Sequence, residues 1–283
     1  MISIIELLLE KYYNLKDISF YEDKLCTIIE HKNETYFLYL ILDLNKAREY
    51  YQLSHMVNYC NQIIKNIFGE ITTTIEKNNY LLIKKIPHIS IQKLISNYYY
   101  VNKKAIKLNW KYLWIEKHDY MEKYYSIVRG KYPIIDESMP YYLSMLEFAI
   151  YLLKEFENYS SIGYIQHKIM SNDQYFNPLN LIIDFKERDI AEYLKYIFFN
   201  NRYQEIDIRS ILMIEKNTLQ YELIIARLLL PNYYFNIVDE IIMEKENEEL
   251  LKEIVLKNKS YINFIKRIIK VIETIQPIKK YPI

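Results

Sequence analysis

The feature that most constrains the fold of this chain is a change in hydrophobic periodicity near residue 90. Before that point, two pairs of segments alternate apolar and polar residues, a pattern typical of strands. The first pair lies on either side of "HKNE" and the second on either side of Asn78-Asn79, and both junctions predict tight turns. After that point, apolar residues recur every three or four positions almost to the end, as they do in amphipathic helices. The sequence therefore predicts an α+β fold.

A helix is predicted between the two pairs of strands. One helical face contains Tyr50, Leu53, Val57, Cys60 and Ile64, and Gly69 supplies the stop signal. In the helical part of the chain, only "SIGYIQHKI" and "LNLIIDF" have the character of short strands.

This pattern predicts two lobes. We expect a small N-terminal lobe of mixed strands and helices at residues 1–90 and a larger, mainly helical C-terminal lobe at residues 91–283. With 51% hydrophobic residues, the chain can bury a core of that size. A strand-containing lobe followed by a helical lobe with a short hairpin inside it is the layout of the bilobal protein-kinase-like fold.

The charge balance and the cysteines exclude several classes of protein. The 37 Lys and Arg residues face 36 Asp and Glu residues, so the net charge of +1 creates no field that would attract nucleic acid. Cys26 and Cys60 have neither the number nor the spacing of a disulfide framework or a zinc site. The first residues carry Glu6 and Glu10 instead of a basic leader, and no apolar run reaches the roughly 18 to 20 residues of a membrane span. We expect a cytoplasmic protein with no nucleic acid partner, no resident metal and no membrane span.

Five segments carry more specific information than this layout. They are "WKYLWIEKHDYMEKYY", "ESMPYYLSMLEFAIYLL", "QHKIMSND", "IIDFKERDIAEYLKYIF" and "ARLLLPNYYF", in that order. Together they resemble the YutH-type spore-coat-associated proteins of endospore-forming bacteria, which are relatives of the CotS spore coat proteins and, more remotely, of aminoglycoside and choline phosphotransferases. The resemblance covers most of the chain and is strongest between residues 110 and 236.

The resemblance implies a bilobal kinase-like protein that is associated with sporulation, located in the mother-cell cytoplasm or in the spore coat. Its implied partners are other proteins, among them spore coat components. The chain departs from its relatives at Asn232, which falls where they tend to carry a histidine before the Tyr-Phe pair. Any role of that histidine is therefore in doubt in this chain.

The first lobe lacks two parts that a working phosphotransferase needs. Such enzymes cover the phosphates with a backbone loop, usually rich in glycine, and bind them with a Lys on the third strand. The first glycine of this chain is Gly69, well past the first pair of strands. The strand before the predicted helix carries Asp43 as its only charged residue, and Lys46 falls where that helix begins. An aspartate at this position would repel phosphate.

The predicted catalytic loop lacks its chemistry as well. His167 lies where such enzymes place a structural histidine. Two residues later, where the base should be, is Ile169, and an isoleucine cannot accept a proton. The magnesium-binding Asn is expected seven residues after the histidine, and that position is Gln174, a weak ligand for a divalent cation.

Three acidic residues remain to be assigned. Asp184 follows a short strand, as the metal-binding Asp of a phosphotransferase does, but Asp189 lies only five residues later, where the resemblance implies an acid that anchors the catalytic loop. This spacing is shorter than active enzymes usually have, so we interpret Asp184 as a second structural acid and His167 and Asp189 as the anchors of a degenerate loop. Asp173 and Asp184 are the weak candidates for catalytic residues, and Asp173 is also typical of ordinary loop chemistry.

Two further features are interpreted as structure. Trp110 and Trp114 lie four residues apart on one helical face, which favours a place in the core over a ligand platform. Arg227 lies among apolar neighbours and needs a carboxylate partner, for which Asp189 and Glu192 are the candidates.

Three functions are compatible with these residues. The preferred one is a catalytically degenerate kinase-like protein, a pseudokinase, that acts as a binding or assembly component with no cofactor. The alternative is a small-molecule or sugar phosphotransferase that uses ATP and Mg²⁺ with relocated acids, Asp173 or Asp184. The third is a plain structural coat component whose working surface lies away from the degenerate site.

Overall fold

The computed structural model describes residues 4–23, 25–87, 90, 91, 95, 109–156, 163–204, 206–213, 219–245 and 247–278. The chain forms two compact units. The first contains Met1–Tyr99 and Ile165–Ile183, and the second contains Tyr100–Tyr164 and Asp184–Ile283. The boundary predicted near residue 90 stays a prediction.

The first unit is built on an antiparallel sheet. Its elements from the N-terminal part of the chain are α1 (Ile4–Tyr13), β1 (Ser19–Glu22), β2 (Thr27–His31), β3 (Glu34–Ile41), α2 (Leu44–Met56), β4 (Gln62–Ile64), β5 (Thr73–Ile75) and β6 (Asn78–Lys84). The strand order is β1-β2-β3-β6-β4, and β5 pairs with the other end of β6. A separate two-stranded sheet pairs β7 (Tyr164–His167) with β8 (Leu181–Asp184). Between β7 and β8 lies the short helix α5 (Asn172–Tyr175), which is numbered by its place among the described helices.

Two tight turns set the register of the large sheet. Lys32 and Asn33 both have positive φ, 49° and 66°, so the predicted turn in "HKNE" is confirmed. The second turn is formed by Glu76 and Lys77, with φ of 48° and 71°. The prediction of a turn at Asn78-Asn79 is wrong by two residues, because both asparagines pair with β5 as the first residues of β6.

The predicted helix up to Gly69 is too long. Helix α2 ends at Met56, and the backbone of Val57 is extended, with φ −117° and ψ 145°. Downstream, Ile63 pairs with Ile83 in the sheet and is buried. The ladder and the burial stabilise a strand where spacing alone predicted a helix, since tertiary contacts override local preference in short segments.

Two clusters of buried side chains form the core of the first unit. One includes Leu8, Leu9, Ile29 and Leu82, and joins α1 to one face of the sheet. The other lies against α2 and includes Ala47 and three residues of the strands, namely Ile63, Leu81 and Ile83. Both sheet faces are therefore covered, which explains why β6 is apolar at three consecutive positions.

The second unit is helical. It contains α3 (Trp110–Val128), α4 (Pro133–Leu152), a 3₁₀ turn (Leu153–Phe156), α6 (Glu187–Phe199), α7 (Ile208–Met213), α8 (Tyr221–Leu229), α9 (Asn232–Ile242) and α10 (Glu249–Ile275). The predicted α+β class is confirmed. Over the described residues, no helix combines the length and the apolar character needed to cross a membrane.

Aromatic residues fill much of the core of the second unit. Trp110 and Trp114 are both buried and stack with ring centroids 5.5 Å apart, which confirms their prediction as core residues. Tyr142 of α4 stacks on Tyr234 of α9 at 3.8 Å. Stacked rings of this kind add to the free energy gained by burying their area.

Candidate functional site

The loop between β7 and β8 is held in place by one asparagine side chain. Oδ1 of Asn180 accepts a hydrogen bond from the backbone N–H of Ile169 at 2.9 Å. Nδ2 of Asn180 donates to the carbonyl oxygens of Ile169 at 2.8 Å and of Gln174 at 3.0 Å. Three bonds from one buried amide fix both arms of the loop, which is therefore an ordered part of the first unit.

His167 lies at the end of β7 and is fully enclosed in the first unit. Its ring stacks on Tyr175 with centroids 4.0 Å apart, and its Nε2 lies 3.3 Å from the hydroxyl of Tyr59. Sequence reasoning did not identify Tyr59 or Tyr175 as partners of His167. A buried imidazole between two tyrosines is suited to holding the loop, and this anchoring role stays a prediction.

The position predicted for the base presents an apolar side chain. Ile169 is 58% exposed at the start of the loop. Its neighbour Lys168 donates from Nζ to the carbonyl oxygen of Leu179 at 2.8 Å and to the hydroxyl of Tyr50, on α2, at 2.7 Å. The loop thus offers no proton acceptor at Ile169, and the adjacent ammonium ties it to helix α2.

Strand β3 carries a tyrosine on the side of the sheet that faces this loop. The hydroxyl of Tyr39 accepts a hydrogen bond from Nδ2 of Asn177 at 3.0 Å. Burial, followed by the neighbouring thiol of Cys26, raises the pKa of Tyr39, so the phenol stays neutral. Asp43, the charged residue predicted to end the strand, instead caps α2 by accepting from the N–H groups of Asn45 at 2.9 Å and Lys46 at 3.2 Å.

A cavity of about 290 Å³ lies within the first unit, beside the same loop. Its lining includes Asp23 and Cys26 from the β1–β2 connection, Tyr39 from β3, Lys85 after β6 and Gln174 from α5. This volume is at the lower end of the range for small-molecule sites. The β1–β2 connection brings a carboxylate to the cavity where a phosphate-binding loop would bring backbone amides.

Asp184 ends β8 and is 2% exposed in the second unit. Its Oδ1 accepts hydrogen bonds from Nε1 of Trp110 at 2.9 Å and from the backbone N–H of Phe185 at 2.7 Å. Its Oδ2 accepts from Nη1 of Arg188 at 2.8 Å. Both carboxylate oxygens are thus held by donors of the unit itself.

The residues at these positions do not fit ATP with magnesium. A magnesium ion at Asp184 would lie against the guanidinium of Arg188, and the two positive charges would repel each other. The base position holds Ile169, and the described part of β3 contains no basic residue. Within the described residues, no three His, Cys, Asp or Glu side chains form a group that could hold a metal ion.

Asp173 and Asp189 are the two other acidic residues that the sequence predicts for the site. Asp173 belongs to the backbone of α5, and its side chain lies outside the described part of the chain. Asp189 is buried in the first turn of α6. Their proposed roles, as candidate base and as loop anchor, stay predictions.

A buried polar network lies in the second unit. Nε of Arg227 donates to Oε1 of Glu192 at 2.8 Å, so the pairing predicted for Arg227 is confirmed with the second of its two candidates. Nζ of Lys195 lies 3.5 Å from the same oxygen and donates to the carbonyl of Leu230 at 2.9 Å and to Oδ1 of Asn232 at 3.0 Å. Asn232 is thus an acceptor for a buried ammonium.

Burial and the neighbouring positive charges shift the pKa of Glu192 in opposite directions. Burial alone would raise the pKa of Glu192, but the positive charges of Lys195 and Arg227 outweigh it and hold that pKa at about 2. Burial lowers the pKa of Lys195 to about 8. Sequence reasoning missed Lys195, and the available signal was its i,i+3 spacing from Glu192 on a helix with a polar stripe among apolar residues.

Comparison with known sequences identifies relatives over nearly the whole chain. The sequence model of the family described as "Spore coat putative kinase YutH" matches residues 6–268. The chain is 26% identical to the endospore coat-associated protein YutH of Bacillus subtilis (strain 168), over 76% of this chain and 76% of that protein.

Comparison with solved structures identifies the fold. The aminoglycoside phosphotransferase from Alicyclobacillus acidocaldarius is similar with a TM-score of 0.63 and 9% identity, over 90% of this chain and 92% of that chain. Choline kinase LicA from Streptococcus pneumoniae is similar with a TM-score of 0.55 and 10% identity, over 96% of this chain and 98% of that chain. The predicted kinase-like fold is confirmed by these likenesses.

Proposed function

The chain belongs to the YutH family of spore coat putative kinases, and we propose that it is a pseudokinase: a spore-coat-associated, kinase-like protein that binds or assembles other proteins and transfers no phosphoryl group. Its place is the mother-cell cytoplasm or the spore coat, and its partners are coat proteins. The name of its Bacillus subtilis relative, an endospore coat-associated protein, supports this location.

One observation carries the proposal: the loop between β7 and β8 is fully braced, yet it presents Ile169 where the base would be. Asn180 makes three hydrogen bonds to this loop, and His167 stacks inside it. General base catalysis requires a group that accepts a proton within hydrogen-bond reach, and an aliphatic side chain has no such atom. An ordered loop without chemistry is suited to shaping a binding surface.

Two further observations support the absence of phosphoryl transfer. The carboxylate of Asp184 is already neutralised by Arg188, so it is a poor ligand for magnesium. Strand β3 presents the neutral phenol of Tyr39 towards the cavity instead of a cation for the phosphates. Each of these changes removes a part on which phosphoryl transfer depends.

The proposal is tested in a sporulating bacterium that carries this chain. A fluorescent fusion is expected in the coat layer of the spore, and the doubly substituted fusion Asp173→Asn, Gln174→Ala is expected there to the same extent, because neither side chain is needed for a binding role. Retention of the folded variant in the mother cell, with the wild-type fusion in the coat, would contradict a binding role that needs neither side chain. A wild-type fusion absent from the coat would remove the spore-coat part of the proposal.

The alternative function is a small-molecule or sugar phosphotransferase with non-standard catalytic residues. The cavity beside the loop, with Lys85 and Gln174 in its lining, is the observation that favours it. In that case Asp173 would be the base, and ATP with Mg²⁺ would be required. Formation of ADP that depends on a sugar or amine substrate, and that is lost in Asp173→Asn, would select this alternative.

A further inference from the structure

Kinase-like phosphotransferases hold magnesium with an aspartate that follows a short strand after the catalytic loop. Asp184 ends such a strand, and its Oδ2 accepts a hydrogen bond from a basic residue of the same chain. We propose that Arg188 is the built-in counter-cation of Asp184: its guanidinium occupies the place of a metal ion and makes the second unit independent of divalent cations.

Burial makes a counter-charge at Asp184 necessary. The carboxylate is 2% exposed, and an ionised carboxylate that is removed from water is stable only when it is paired. Trp110 and the backbone of Phe185 supply hydrogen bonds to Oδ1 but no charge. Arg188, which is itself 15% exposed, supplies both a hydrogen bond and the positive charge.

A second arginine in the same region is already engaged elsewhere. The guanidinium of Arg227 lies over the ring of Trp110 at 4.9 Å. However, its Nε donates to Glu192 at 2.8 Å, and its electrostatic interaction with Glu192 is stronger than that with Asp184. The direct partner of Asp184 is therefore Arg188, and the two ion pairs flank one tryptophan.

A guanidinium differs from a metal ion in ways that suit a structural role. It is positively charged at every accessible pH, and its planar donors match a carboxylate. Arg188 is only four residues from Asp184 in the chain, so it is always close to the carboxylate, whereas a metal ion must bind from solution. A divalent cation would have to displace the guanidinium of Arg188 before it could bind to Asp184.

This inference deepens the proposed function, but the two can fail independently. Phosphoryl transfer through Asp173 would overturn the pseudokinase assignment but would leave Arg188 as the partner of Asp184. The opposite result, a metal ion bound at Asp184 without phosphoryl transfer, would overturn the inference and leave the assignment standing.

The test is thermal unfolding of wild type, Arg188→Ala and the double variant Asp184→Asn, Arg188→Ala, each in EDTA, with millimolar Mn²⁺, or with millimolar guanidinium chloride. The change Asp184→Asn keeps an Oδ1 acceptor for Trp110 and Phe185, so the double variant differs from Arg188→Ala in the carboxylate charge. The midpoint of Arg188→Ala is expected to be lower than that of wild type and to rise with either cation. The midpoints of wild type and of the double variant are expected not to change.

Three results would overturn the inference. The first is a Mn²⁺-dependent rise in the midpoint of wild type that is absent in the double variant. The second is a folded Arg188→Ala protein that neither cation stabilises, and the third is an equal rise in the double variant. If Arg188→Ala fails to fold, the double variant decides the question: recovery of folded protein supports the inference, and continued failure overturns it.

Discussion

Nε of Arg227 lies 2.8 Å from Oε1 of Glu192 in the interior of the second unit, and Nζ of Lys195 lies 3.5 Å from the same oxygen. Lys195 also donates to Leu230 and Asn232, at the junction of α8 and α9. The carboxylate of Glu192 thus contacts two cations, and the resulting network joins α6, α8 and α9. Buried pairs of this kind contribute little net free energy while intact, but they are costly to break.

Removal of the arginine is expected to destabilise the protein. Arg227→Met removes a charged hydrogen bond but leaves Lys195 as the direct cationic partner of Glu192, so it should lower the free energy of unfolding by about 1.5 to 3 kcal/mol. Urea denaturation at neutral pH measures this loss. The double variant Arg227→Met, Glu192→Gln should recover part of it, and a double variant as unstable as the sum of the two single variants would contradict coupling between the residues.

Acid should destabilise the protein through Glu192. The pKa of this carboxyl is lowered in the folded state, from 4.5 to about 2. Its contribution is therefore complete above the unfolded pKa and is lost as the pH falls through the folded pKa, which amounts to about 3 kcal/mol between pH 5 and pH 2. Urea denaturation at steps of pH should show this slope in wild type. In Glu192→Gln the slope should be smaller by that amount.

Glu187 should have the opposite dependence. Burial raises its pKa to about 7, although the N–H of Gln220 donates to its Oε1 at 2.9 Å. A raised pKa means that the stabilising protonated form is complete below the unfolded pKa and is lost as the pH rises through the folded pKa. Glu187→Gln keeps an acceptor for Gln220 and should therefore be more stable than wild type by about 3 kcal/mol at pH 8.5.

The same variant supplies its own control at low pH. At pH 4, where Glu187 is protonated in both states, wild type and Glu187→Gln should unfold at the same urea concentration. A variant that is less stable than wild type at pH 8.5 would show that Glu187 is held as a carboxylate in the folded protein.

The hydrogen bonds of Asn180 to the β7–β8 loop should contribute measurably to the free energy of unfolding. Asn180→Ala removes three hydrogen bonds and leaves partly buried backbone groups of Ile169 and Gln174 without this partner, a loss of about 3 kcal/mol. Asn172→Ala is the matched control, because Asn172 is an exposed asparagine of the same loop and should change stability by about 0.5 kcal/mol or less. Equal urea midpoints for the two variants would mean that the loop is not braced through Asn180.

The sequence predicted those parts of the fold that depend on short-range pattern. Alternation around Lys32-Asn33 predicted the first hairpin, because alternating apolar and polar residues lie on both sides of a short polar connection. The end of α2 was not predictable, because Gln62–Ile64 forms a strand only through pairing with β6, which is distant in sequence. Helical spacing continues past Met56 and carries no sign of that pairing.

The residues at the expected positions of the candidate site could be identified from the sequence, whereas their contacts could not. Ile169 and Gln174 could be identified from their spacing to His167, since the positions of a catalytic loop are fixed along the chain. The compensating contacts join distant segments: Trp110 reaches Asp184 across 74 positions and Tyr39 reaches Asn177 across 138. Only the pairing of Arg227 was predicted, because a buried arginine requires a carboxylate and few were within reach.

The most direct test of the central claim is the formation of ADP from ATP by the purified protein with Mg²⁺ or Mn²⁺, measured with and without aminoglycoside, choline and sugar acceptors. We expect no ADP above the level found with heat-denatured protein under any of these conditions, because Ile169 accepts no proton and Asp184 is paired with Arg188. Metal-dependent ADP formation by wild type that disappears in a folded Asp184→Asn or Asp173→Asn protein would contradict the claim and identify an active phosphotransferase.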